Sequence, residues 1–77
     1  MISKDDCVNR LKYMAAYKSL SLQTIARNGL KGGNTPANSQ YVVVEENQLE
    51  ALEAALFYLT GEVFVPPTLP DEPVIVQ

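Results

Sequence analysis

Histidine and tryptophan are absent from this sequence, and cysteine occurs once. Without His the chain lacks the commonest general base and the commonest metal ligand. A single thiol, Cys7, excludes an internal disulfide and a Cys-based zinc site. No apolar run approaches the roughly 20 residues that cross a bilayer. The opening Met1-Ile2-Ser3-Lys4-Asp5-Asp6 lacks the apolar stretch of a secretory signal. The expected location is therefore cytoplasmic, or made in a cytosol and incorporated into a virion-like particle, with no membrane. Lys and Arg are missing from the whole of residues 41–77.

What is present is 77 residues, 47% hydrophobic and 19% charged. That composition suits a globular chain rather than a disordered acidic or basic tail. A domain this small buries only about 60% of the surface of its unfolded chain. It has room for one thin core and none for a deep enclosed site, so it relies on packing alone or on a partner.

Charge is distributed unevenly. All six basic residues, Lys4, Arg10, Lys12, Lys18, Arg27 and Lys31, precede residue 41, with only Asp5 and Asp6 against them. Residues 41–77 carry Glu45, Glu46, Glu50, Glu53, Glu62, Asp71 and Glu72. Such a split suits two halves that attract within the fold, or a bipolar surface that meets another copy. It argues against nucleic acid as a partner, because DNA binders of this size carry a basic excess.

The sequence predicts an α+β domain, mainly helical, in the order helix, short helix, long Gly-rich loop, strand, helix, followed by an extended Pro-rich C-terminal arm. Residues 1–61 form the body and 62–77 the arm. Ser3 is a good N-cap for a first helix over about Lys4–Lys18, with Asp5 and Asp6 where the dipole favours them. Cys7, Val8, Leu11, Met14 and Ala15 fall on one face of it. Arg10, Tyr13 and Tyr17 gather on the other side, and Tyr and Arg are common interface anchors. Ser19 or Ser21 is the expected cap of a short helix from Leu22 to Asn28, stopped by Gly29. Residues 29–40 hold three Gly, one Pro and two Asn and are expected to form a loop.

Tyr41-Val42-Val43-Val44-Glu45 is rich in β-branched residues and is the expected strand. Asn47, with Glu50 as its capping-box partner, is expected to begin the last helix, 47–60. Leu49, Leu52, Leu56 and Leu59 form one stripe. Ala51, Ala54, Ala55 and Tyr58 form a second, and Phe57 sits beside Glu50 and Glu53. A helix with two apolar faces joins its own core on one and a partner on the other. The arm carries four prolines, which bar a helix. It also carries Val63-Phe64-Val65, Leu69 and Val74-Ile75-Val76. A solvated tail has little reason to hold so many bulky apolar residues, so the arm is expected to dock, as an added strand, on its own domain or a neighbour.

Enzyme chemistry finds no footing. Cys7 has no histidine to activate it and reads as a structural thiol. Glu45 and Glu46, as neighbours on a strand, would point to opposite faces. Gly29-x-x-Gly32-Gly33 lacks the Lys-Ser/Thr ending of a phosphate loop. Leu22–Leu30 resembles the first helix and turn of a helix-turn-helix, but Lys31–Pro36 makes a poor recognition helix. A ribbon-helix-helix built on 41–45 would offer glutamates to phosphates.

The expected function is a non-enzymatic structural or assembly subunit, with no catalytic, cofactor-binding or metal-binding residues. It would bind neighbouring subunits of a homo-oligomer or larger assembly through helix 47–60 and the docked arm, in the manner of small accessory proteins of virus or phage particles. The expected partner-binding residues are Tyr13, Tyr17, Phe57, Tyr58, Val63, Phe64, Val65, Leu69, Val74, Ile75 and Val76. The alternatives are a small acidic inhibitor or antitoxin-like protein blocking a basic site, and a small DNA-binding regulator.

Overall fold

In the computed structural model, which describes residues 1–30 and 40–70, the chain is two long antiparallel helices with an extended arm laid along the first. Helix α1 runs Lys4–Leu30 and α2 runs Gln40–Thr60. Ser3 caps α1: its Oγ accepts the Asp6 N–H at 3.1 Å and its carbonyl accepts the Cys7 N–H at 2.9 Å. Helix α2 ends where Gly61 takes φ +75°, a conformation that suits glycine, and donates its N–H to the Phe57 carbonyl at 2.8 Å.

One seam joins the helices. On α1 it runs through Val8, Leu11, Ala15, Lys18, Leu22 and Ile25, and on α2 through Val42, Glu45, Leu49, Leu52, Leu56 and Leu59. Both sets step by three and four residues, the heptad spacing that keeps one stripe of each helix against its neighbour. All of them are buried or half-buried, while the apolar side chains fully buried among the described residues are Ala15, Val42 and Leu56. One layer of the seam is charged. Lys18 Nζ donates to Glu45 Oε2 at 2.8 Å and to Gln48 Oε1 at 2.5 Å, with both charged side chains 19% exposed.

The α+β expectation is therefore overturned: no described residue is in a strand. Residues 41–45 form the first turns of α2. Their β-branched run favours a strand locally, but helical spacing places Val42 and Glu45 on the same stripe as Leu49, Leu52 and Leu56, and packing against α1 decides the matter. Asn47 lies inside α2 rather than at its cap. The two expected helices over 4–28 are one, because Ser19 and Ser21 carry only a small helical penalty and seam residues lie on either side of them. Gly29 is inside α1's last turn. The described part of the expected loop thus belongs to the helices, and 31–39 lies outside the described residues. Met14, expected on the inner face of α1, is 48% exposed.

Candidate functional site: an open groove and a strapped face

The helix pair has two long sides, and the arm covers one. After Gly61 the chain turns back. Thr60 holds the turn, its Oγ accepting the Glu62 N–H at 3.1 Å and donating to the Leu56 carbonyl at 2.7 Å. Residues 63–70 then run alongside α1 in the same direction. From Val63 to Pro70 the arm spans about 22 Å at a polyproline rise of 3.1 Å per residue. From Lys12, beside the start of the arm, to Arg27, at its end, α1 spans about 22 Å at 1.5 Å per residue. The two lengths match, because the arm rises about twice as far per residue as the helix.

Two side chains of α1 hold the arm, and a third positions one of them. Gln23 Nε2 donates to the Pro67 carbonyl at 2.8 Å, and Gln23 Oε1 accepts the Leu69 N–H at 2.8 Å. One amide thus brackets Thr68 as an adjacent strand would, reading backbone rather than side chains. Ser19, 6% exposed, accepts a second bond from Gln23 Nε2 at 3.0 Å and so sets which end of the amide faces which arm group. Arg27 donates to the Pro70 carbonyl at 3.0 Å. One turn of α1 separates Gln23 from Arg27, about the length of two extended residues. Phe64, Pro66 and Leu69 are half-buried, whereas Val63 and Val65 face outward at 76% and 81% exposure.

The other side is an open groove. Tyr13, Met14, Tyr17, Lys18, Tyr41 and Glu45 line one end, and Met14, Lys18, Gln48, Ala51 and Leu52 line the other. Tyr13, Tyr17 and Tyr41 stand exposed along it, Tyr13 at 74%. Of the residues expected to bind a partner, Tyr13 and Tyr17 lie in this groove. Phe57 and Tyr58 are exposed near the C-terminal end of α2, ring edge to ring face with centroids 6.1 Å apart. Val63, Phe64, Val65 and Leu69 are in the arm, and Val74, Ile75 and Val76 lie outside the described residues. The structure thus does not gather these residues into one patch. Sequence reasoning missed Met14, Tyr41, Gln48, Ala51 and Leu52 as groove residues, and Gln23 and Arg27 as arm holders. A helical reading of 41–45 exposes the first group; no sequence signal marks the second.

Among the described residues no group of three His, Cys, Asp or Glu side chains could hold a metal ion, and no helix is long and apolar enough to cross a membrane. No known family model, curated protein or solved structure matches the chain.

Proposed function

We propose that the protein is a non-enzymatic assembly subunit, whose copies associate through the groove between α1 and α2, as in a small accessory component of a larger particle. The observation that carries this reading is the contrast between a thin core and a groove rimmed by exposed aromatic side chains. Three apolar residues are fully buried among those described, while Tyr13, Met14, Tyr17 and Tyr41 remain open to water on one side of the molecule. A contiguous exposed apolar surface is a usual mark of a protein partner, and tyrosine is a frequent anchor because it buries a large rigid area and keeps a polar tip. The opposite side already has its cover in the arm.

Sedimentation of the full chain tests the proposal. The wild type should associate in a concentration-dependent way, and the Tyr13→Ser/Tyr17→Ser variant should sediment as a monomer with unchanged helical circular dichroism. A wild type that stays monomeric at every concentration overturns it. That result would favour the acidic-inhibitor reading, for which the α2 row Glu46, Glu50 and Glu53 is available: none of these is in an ion pair among the described residues.

A further inference from the structure

We propose that the α1 face carrying Ser19, Gln23 and Arg27 is a docking site for an extended, proline-rich segment, and that in the assembled protein its occupant is the arm of a second copy, exchanged reciprocally. The inference rests on the reading of the chain as an assembling subunit, but not on the open groove being the contact face.

What the site reads is backbone. The Gln23 amide takes one carbonyl and one N–H on either side of Thr68, and Arg27 takes a second carbonyl, at Pro70. Proline supplies no N–H, so between Pro66 and Pro70 the donors are Thr68 and Leu69, and it is Leu69 that meets Gln23 Oε1. None of these bonds depends on the arm belonging to the same chain. The connection turns at Gly61, which has the one positive φ among the described residues and open space around the position of a side chain, and one side-chain bond, Thr60 to Glu62, spans it. A different path at this hinge would give up the Thr60–Glu62 bond of the turn and deliver the same arm to a neighbouring α1 with the Gln23 and Arg27 bonds preserved, the condition for exchange of an element between identical copies.

The residues beside the hinge indicate why a second copy is the fitting occupant. When two arms cross, the hinge segments run past each other and supply the contacts that a single copy lacks. Val63 and Val65 lie in that segment, outward and apolar. In the single copy they face water, and in an exchanged pair they face their counterparts. The hold on the arm in the single copy is thin: three bonds from two side chains, both at the surface or half-buried, and a few half-covered apolar groups. Segments held this way open far more often than the molecule unfolds.

Complementation between two full-length variants tests the exchange. Gln23→Ala destroys the reader and leaves the arm intact. Leu69→Pro removes the N–H that is read and leaves the reader intact. The Gln23→Ala chain, isotopically labelled, should show a freely exchanging Leu69 amide by itself. Adding unlabelled Leu69→Pro chain should slow that exchange roughly tenfold or more, because the intact site takes the intact arm. Adding unlabelled Gln23→Ala chain should change nothing. Leu69→Asp, which removes the apolar anchor, serves as a second acceptor should the proline variant lose helicity. An unchanged Leu69 exchange rate in every mixture at millimolar concentration overturns the exchange. If the wild type then still sediments as an oligomer, the assembly reading survives; if it is a monomer, both fall.

Discussion

At the scale of single residues, the side chains that organise this molecule are polar ones placed where apolar ones were to be expected. Lys18 and Glu45 occupy seam positions that a Leu would fill more stably. A charged pair there sets register, since sliding one helix by a heptad would separate two partly desolvated charges and oppose each with an aliphatic side chain. Such a pair is weak as a source of stability and strong as a penalty when broken. Glu45→Leu alone should lower stability by about 1–3 kcal/mol, because Lys18 keeps only Gln48. Lys18→Met combined with Glu45→Leu should recover that loss or exceed it. Urea unfolding of the two single variants and the double measures the coupling, and strict additivity would show that the pair does nothing together. Gln23 is the second case. In the sequence it is an ordinary helical glutamine, and nothing about it points to an arm 44 to 46 residues on. Its role exists only because Ser19 lies one turn before it and the arm passes at the matching height, a relation set by tertiary packing.

At the scale of elements, the start of α2 separates what could be read from what could not. Its C-terminal half is legible as Leu49, Leu52, Leu56 and Leu59. Extending the same spacing backward reaches Glu45 and Val42, but a glutamate in the stripe and three consecutive valines both obscure it. Short β-branched runs satisfy strand and helix patterns equally, and the partner surface on α1 decides between them. The N-terminus of α1 was readable because its signal is local: a serine oxygen three residues ahead of the amide it accepts. The joining of the expected first and second helices was not, since Ser19 and Ser21 resemble caps when their surroundings are unknown. Adjacent valines should therefore respond to truncation in opposite directions. Val43 is 45% exposed, so Val43→Ala should stabilise the helix by about 0.5 kcal/mol through propensity alone. Val42 is buried in the seam, so Val42→Ala should cost about 1–2 kcal/mol in lost burial. Thermal unfolding distinguishes them; a loss at Val43 as well would mean that the segment packs as a strand.

At the scale of the whole molecule, the question is what makes two helices and a strap stable at all. A two-helix hairpin has one seam, so each helix can cover only part of its apolar surface with the other. The arm covers a second side of α1. Nothing among the described residues covers Tyr13, Met14, Tyr17 and Tyr41. The charge split adds to this picture: among the described residues, the basic residues of α1 and the acidic residues of α2 meet once, at Lys18 and Glu45. Apart from Arg27, which holds the arm, the remaining charges of the two helices are in no ion pair among the described residues and are available to a neighbour of the same sequence, whose helices offer the opposite sign. If association supplies the missing burial, folding and assembly are linked, and stability becomes a function of concentration. The melting temperature of the wild type should therefore rise across a hundredfold increase in protein concentration. The same series for Tyr13→Ser/Tyr17→Ser should be flat and lie at or below the lowest wild-type value. A wild-type melting temperature independent of concentration, in a chain that also sediments as a monomer, would mean that the seam and the arm suffice. The open groove would then have to be explained by a different partner.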